Sequence, residues 1–166
     1  MKSSELRELQ EPLKKKYRSD PQSGLITLRA SSRMGEGISC KLDTGKNLIE
    51  AGLHPATGGD GSFICSGDML LESLAACAGV TLKAVATSID FDLIDCTIRV
   101  EGDLDFRGTL SVDKNAPVGF KDIRLNFTIE TNEPEDRIRS LIKLTERYCV
   151  VLQTLSTKNQ VTVSIM

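Results

Sequence analysis

The segment from Gly67 to Ser88 limits the possible folds of this chain more than any other. Only Asp68, Glu72 and Lys83 are charged within it, and Ser66 can serve as an N-cap before an acidic first turn. A helix with so few charges needs protein over most of its circumference. Polar and charged residues interrupt the apolar run too often for a membrane span. The segment therefore predicts a buried central helix.

Two amphipathic helices are predicted on either side of it. Ser3–Arg18 carries leucines at spacings of three and four, and Pro12 is expected to bend this helix or to end its first half. The second helix has an apolar stripe that begins at Ile138 and continues, at helical spacing, through Cys149 to Leu152.

Strand-like composition occurs in several further segments. They are Leu25–Ala30, Ile38–Leu42, Asp95–Glu101, Leu104–Val112, Ile123–Thr131 and Val161–Ile165. The order of elements predicts an α+β fold. We expect one domain over residues 21–166, preceded by a helical extension over residues 1–20.

Charge and composition exclude some classes of function. The 166 residues include 21 Lys and Arg against 23 Asp and Glu, a net charge of −2, and no Trp. Such a chain has no excess of positive charge to bind nucleic acid and few aromatic side chains on which bases could stack. No apolar leader follows Met1, so we expect a cytoplasmic protein with reduced thiols, without nucleic-acid or membrane partners.

The cysteines narrow the remaining chemistry. There are five, at positions 40, 65, 77, 96 and 149, an odd number whose spacing matches neither a disulfide framework nor a zinc site. His54 is the only histidine, so a histidine-rich metal site is excluded. Packing and thiol chemistry remain as roles for the cysteines.

Cys77 and Cys149 are the best candidates for thiol chemistry. Cys77 lies in the middle of the central helix and Cys149 lies on the apolar stripe of the second long helix, so both are predicted to point inward and could meet. Buried free cysteines commonly serve only as small apolar residues, and that interpretation stays open. Small residues beside Cys77 would admit a ligand or another backbone: Ala75, Ala76, Ala78 and Gly79. A reactive thiolate here would need a cation from elsewhere, because the helix dipole acts only in terminal turns.

Three stretches around these cysteines resemble one known family. They are Ser66–Cys77, Glu101–Phe106 and Thr145–Cys149, and together they are similar to the OsmC/Ohr proteins, which are thiol-dependent hydroperoxide reductases. The resemblance extends over about residues 25–166. It implies an OsmC-like fold, with antiparallel sheets around a central buried helix, in an intertwined homodimer.

The resemblance also implies roles for particular residues. Cys77 matches the peroxidatic cysteine, which becomes a sulfenic acid, and Cys149 matches the resolving cysteine, which forms a disulfide with it. An external dithiol then reduces the pair, and no metal or prosthetic group is needed. Arg33 is the closest match to the family's thiolate-binding arginine, with Arg29 as the alternative. The implied substrates are organic hydroperoxides and, less well, hydrogen peroxide.

Two positions depart from the family pattern. The family commonly has a glutamate ten residues before the peroxidatic cysteine to brace the arginine, where this chain has Gly67. Asp68 or Glu72 could take over that supporting role. The family usually has proline after the second cysteine, where this chain has Val150.

Two other hypotheses remain open at this point. One is a dimeric protein that binds a small apolar or acyl ligand while its thiols stay silent. The other is a cysteine-dependent acyl transferase, for which His54 is the only available histidine base. His54 lies beside a Gly-rich loop and is more simply interpreted as a turn residue. Cys40, Cys65 and Cys96 are interpreted as structural.

Overall fold

The structure is a computed structural model that describes residues 2–20, 31–34, 39–43, 48–111 and 113–165. Within these ranges, the side chains of residues 31–34, 39–43 and 48, and several in the first helix, lie outside the description. The strand predicted at Leu25–Ala30 and the alternative arginine, Arg29, also lie outside the described residues.

The described residues form five α-helices and six strands. The helices are α1 (Ser3–Ser19), α2 (Ser66–Ser88), α3 (Phe106–Thr109), α4 (Glu135–Tyr148) and α5 (Val150–Ser156). The strands are β1 (Ser31–Met34), β2 (Ser39–Asp43), β3 (Leu48–Gly52), β4 (Ile64–Cys65), β5 (Leu93–Asp103) and β6 (Asp122–Thr131). A short 3₁₀ turn covers Pro55–Thr57. The predicted mixed α+β class is confirmed.

The strands form two sheets. The first has the order β1-β2-β3-β4, and the second consists of β5 and β6. β1 pairs with β2 and β2 with β3 in antiparallel fashion, as expected for a meander, whereas β4 adds to β3 in parallel. Arg33 lies opposite Lys41 in the β1–β2 register.

The chain divides into two compact units, each described by itself. The first unit comprises Met1–Leu13, Ser73–Arg99 and Leu125–Met166, and the second comprises Lys14–Glu72 and Val100–Arg124. The core of the first unit is formed by Leu82, Val85, Ala86, Phe91 and Leu141. Each large aliphatic or aromatic side chain buried there contributes about 1.5–3 kcal/mol to stability.

The predicted apolar stripe of α4 faces this core. Leu141 and Thr145 are buried, and Ile138 and Ile142 are partly buried. The Thr145 hydroxyl donates to the Leu141 carbonyl at 2.8 Å, which satisfies the only buried polar side chain found in the described residues. The stripe was therefore predicted correctly up to this point.

α2 is less covered than its sequence predicts. Leu74, Ala78 and Leu82 are buried along one face, but Val80 on another face is 73% exposed. Among the described helices, α2 alone is long and apolar enough to cross a bilayer, with a mean hydropathy of 1.5. The core helix of a soluble protein meets the same test.

Of the two outcomes expected at Pro12, an end to the first half of the helix is excluded, because α1 continues through this residue. Two local predictions were wrong. The strand predicted over residues 104–112 is absent from 104–111, because Asp105 caps α3 by accepting from the Arg107 N–H at 3.2 Å. Residues 161–165, predicted as a terminal strand, have no strand partner among the described residues, and Val161, Val163 and Ile165 are 82–102% exposed.

Candidate active site

Cys77 lies in the middle of α2, within the first unit. The helix follows from a sequence with no internal proline and with helix-favouring Leu and Ala on both sides of the cysteine. Ala78 next to it is buried, whereas Cys77 itself is half-buried. Its sulfur is therefore packed against protein without being sealed off completely.

Cys149 lies at a break between two helices of the same unit. It is fully buried, and its backbone leaves the helical conformation with φ −73° and ψ 105°. Its N–H still donates to the Thr145 carbonyl at 2.9 Å, and its carbonyl accepts from the Gln153 N–H at 2.9 Å. The uninterrupted helical pattern predicted through Leu152 is therefore broken at one residue, although Val150 and not proline follows.

The two cysteines meet, which is the arrangement that their positions on the two helices allowed. Burial raises the pKa of the Cys77 thiol, but several hydrogen bonds to its sulfur outweigh that effect and leave the pKa below its usual value of 9.0. The donors are the Val151 N–H, the Cys149 thiol, the Thr81 hydroxyl and the Val150 N–H. Hydrogen bonds to the charged form of a group favour ionisation. Cys77 is therefore the member of the pair that is predisposed to be a thiolate.

Cys149 is shifted in the opposite direction. Burial is the largest cause and raises the pKa of its thiol above 9.0, against a hydrogen bond from the Leu152 N–H that lowers it. Donation to the Cys77 sulfur and the negative charge there raise the pKa further, and a bond from the Val151 N–H lowers it slightly. Of the two thiols, Cys77 is therefore the one that loses its proton more readily, and Cys149 the one that holds its proton more firmly.

The other described cysteines are not part of this pair. Cys96 on β5 is half-buried, and burial, together with the charge of Asp95, raises the pKa of its thiol. Cys65, also half-buried, ends β4 in the second unit. The side chain of Cys40 lies outside the described residues. Across residues 2–20, 31–34, 39–43, 48–111 and 113–165, no three His, Cys, Asp or Glu side chains are grouped to hold a metal ion.

The residues predicted to support the thiolate lie in the second unit. Arg33 is in β1, but its side chain is not among those described. Asp68 and Glu72 are both exposed in the first turns of α2. Their roles beside Cys77 stay predictions.

The donors Thr81, Val150 and Val151 were not identified from the sequence. Thr81 follows Cys77 by four positions, which places both on one helix face, so its proximity could have been predicted. The two valines donate through backbone groups, and their direction depends on the break at Cys149. His54 is not among the hydrogen-bond partners of Cys77 in the described chain; its Nδ1 instead accepts from the Ala56 N–H at 3.0 Å.

Comparisons with known proteins agree on one family. The family model described as OsmC-like protein matches residues 59–165. No curated protein matches the chain at a significant level. The fold is similar to an OsmC-like protein from Mycoplasma pneumoniae, with a TM-score of 0.67 and 18% identity over 79% of this chain and 88% of that one.

Two further solved structures have names that refer to peroxide. An organic hydroperoxide resistance protein OsmC from Legionella pneumophila, also described as a predicted redox protein, has a TM-score of 0.62 and 19% identity over 79% of this chain and 90% of that one. An organic hydroperoxide resistance protein from Elizabethkingia anophelis has a TM-score of 0.61 and 17% identity over 78% of this chain and 88% of that one. The match over residues 59–165, together with this shared fold, shows that the chain belongs to the OsmC-like protein family.

Proposed function

We propose that this protein is a thiol-dependent peroxidase that reduces organic hydroperoxides. The observation that carries the proposal is the hydrogen-bonded Cys77–Cys149 pair, in which the pKa of one thiol is lowered and that of the other is raised. Membership of the OsmC-like family and the peroxide-related names of two structural relatives support it.

The first step uses the thiolate of Cys77. Its sulfur attacks the outer oxygen of the hydroperoxide, the O–O bond breaks, and the products are a Cys77 sulfenic acid and an alkoxide. The alkoxide takes a proton and leaves as the alcohol. Cys149 is suited to supply that proton because its thiol lies against the reacting sulfur and remains protonated.

The second step uses Cys149, which is a thiolate once its proton has been given up. It attacks the sulfenic sulfur, a disulfide forms, and the hydroxyl group leaves as water after protonation. An external dithiol then restores both thiols by two exchange reactions. One hydroperoxide is reduced to alcohol and water for each dithiol oxidised to a disulfide.

Three other residues belong to the proposal through their resemblance to the family. Arg33 would hold the thiolate, since a guanidinium stays charged and can donate to a sulfur and a carboxylate together. Asp68 or Glu72 would brace that arginine in place of the glutamate that Gly67 replaces. Arg33→Lys should reduce the rate of sulfenic acid formation, while Lys41→Arg, at the position opposite it in the sheet, should not.

The proposal includes a homodimer in the cytosol, where thiols are kept reduced. Large apolar side chains are exposed on the single chain, including Val80 at 73% and Val150 at 69%, and a second copy would cover them. The alternating apolar residues at 161–165 are suited to strand pairing with that copy. Sedimentation analysis should give twice the chain mass, and Val163→Asp should weaken the dimer.

The central test is oxidation of the reduced protein by one equivalent of cumene hydroperoxide, followed by intact mass measurement and peptide mapping. We expect the loss of two hydrogen masses and a peptide that joins Cys77 to Cys149. Cys149→Ser should accumulate a Cys77 sulfenic acid after one turnover, and Cys96→Ser should behave like the parent protein. An unchanged mass with all five thiols free would contradict the proposal and favour a ligand-binding protein with silent thiols.

A further inference from the structure

A second feature of the chain lies wholly in the second unit and includes neither Cys77 nor Cys149. Two cavities of about 340 and 330 Å³ share the lining residues His54, Cys65, Gly67, Leu104, Phe106 and Phe120. A cavity of about 150 Å³ already accommodates benzene. Either cavity therefore has room for an aromatic ring with a short substituent.

The space depends on glycine at two positions. A Cβ at Gly67 would lie 3.5–3.6 Å from Leu104 Cδ1, Cys65 Sγ and Phe120 Cζ, so any larger side chain there would enter the cavity. At Gly102 a Cβ would lie only 2.6 Å from the ring of Phe120, so this ring keeps its place because residue 102 has no side chain. The apolar walls and the open space are thus properties of this sequence.

His54 supplies one oriented polar group to both cavities. It caps the 3₁₀ turn, its Nδ1 accepts from the Ala56 N–H, and its ring stacks on Phe106 with centroids 4.9 Å apart. Because Nδ1 is the acceptor, the hydrogen of the neutral ring is on Nε2. No described residue accepts from Nε2, which leaves this N–H for an oxygen atom of a ligand.

The charges around the cavities select against an anion. Asp68 and Asp103 line the smaller cavity, and no Lys or Arg lines either cavity in the described part of the chain. An anionic ligand would meet the carboxylate of Asp68, and Arg124, which pairs with Asp103 at 2.6 Å, also pairs with Asp122 and lines neither cavity. A neutral carbonyl oxygen fits one N–H donor in the larger cavity, whose lining is mostly apolar.

We propose that this part of the second unit is a binding site for a small, uncharged aromatic molecule with a carbonyl oxygen. The oxygen accepts from His54 Nε2–H, and the ring lies among Leu104, Phe106 and Phe120, next to the Cys65 thiol. Aromatic stacking and burial provide the affinity, while the single hydrogen bond selects the oxygen. The site shares Asp68 with the proposed support of Arg33 but contains neither reacting thiol.

The test is titration of the Cys77→Ser protein with acetophenone, followed by amide chemical shifts in two-dimensional NMR. Using Cys77→Ser separates this proposal from the peroxidase, because binding should persist when no thiol chemistry is possible. Shifts should concentrate at residues 54, 65, 67 and 120. Isopropylbenzene, which lacks the oxygen, and benzoate, which is charged, should each bind at least several-fold more weakly.

Variants decide between this site and non-specific association. His54→Asn keeps an acceptor for the Ala56 N–H, but the shorter side chain no longer places an N–H donor at the position of His54 Nε2. Acetophenone and isopropylbenzene should then bind equally. Gly67→Leu should abolish binding by filling the cavity, and Gly67→Ala should weaken it several-fold without lowering the melting temperature. Binding unchanged in both glycine variants, or shifts confined to residues of the first unit such as Gly79 and Cys96, would overturn the proposal.

Discussion

Cys77 and Cys96 are both half-buried thiols in the first unit, yet their surroundings shift their pKa values in opposite directions. Burial raises the pKa of each. Cys96 has a neighbouring carboxylate, which adds to that effect. Cys77 accepts hydrogen bonds from a thiol, a hydroxyl and two backbone N–H groups, which reverse it. Burial alone therefore disfavours the thiolate, whereas donors arranged around the sulfur favour it.

The largest effect on hydroperoxide turnover is expected when Cys77 is replaced. Cys77→Ser should lower hydroperoxide turnover by at least about 100-fold, because a serine hydroxyl is not ionised near neutral pH and does not replace a thiolate nucleophile. Cys96→Ser, the matched variant on β5, should keep its rate. Steady-state assays with cumene hydroperoxide and a dithiol measure both. An equal loss of turnover in the two variants would show that Cys77 and Cys96 do not differ in their roles.

Removing the thiol donor should make Cys77 more like Cys96. In Cys149→Ala, the pKa of Cys77 should rise, because a hydrogen bond to its thiolate is lost while burial still raises it. The rate of iodoacetamide alkylation at Cys77, followed over pH by peptide mass analysis, should therefore reach its midpoint at higher pH. At pH 7 alkylation should be several-fold slower. Cys149→Ser retains a donor and should shift the midpoint less.

A smaller change of the same sign is expected at Val150. Val150→Pro removes one N–H that donates to Cys77 but suits the extended backbone already present at Cys149. The fold should be retained, and the alkylation midpoint of Cys77 should move to higher pH by less than in Cys149→Ala. Val150→Ala, which keeps the N–H, is the control. A Cys77 midpoint in the proline variant equal to that of the parent would exclude this donor.

The smallest effect is expected at Cys96, when the carboxylate beside it is neutralised. Asp95→Asn removes the charge that helps to raise the pKa of Cys96, so the alkylation midpoint of Cys96 should fall slightly. Burial is the larger cause and remains, and salt screens the charge of an exposed carboxylate, so the shift should shrink at high ionic strength. The midpoint of Cys77 should stay unchanged in the same samples.

Sequence patterns predicted the elements that periodicity alone determines. The limits of α2 and the inward side of α4 follow from apolar spacing, and the meeting of Cys77 with Cys149 follows from those two faces. The break at Cys149 was missed because α5 resumes after one residue, so the apolar pattern continues almost in phase. The predicted strand over residues 104–112 was wrong because alternating apolar residues were weighed without the cap that Asp105 provides.

Other features depend on contacts that no local pattern encodes. The lowered pKa of Cys77 arises partly from backbone donors more than 70 positions away in the chain. The space at Gly67 is defined by Leu104 and Phe120, which come from a separate stretch of sequence. The partial exposure of α2 in the single chain could not be predicted, because a helix face that packs against another chain has the same apolar composition as one buried in a core.

The contact between Cys77 and Cys149 has a consequence for heat resistance. A bond between them would close a loop over the 72 positions that separate them, and a cross-link over such a loop stabilises a fold by about 4 kcal/mol when it adds no strain. Under the proposed chemistry, exposure to peroxide would leave a protein that melts at a higher temperature, and reduction would lower it again. Melting curves would then report the redox history of the protein without any assay of its substrate.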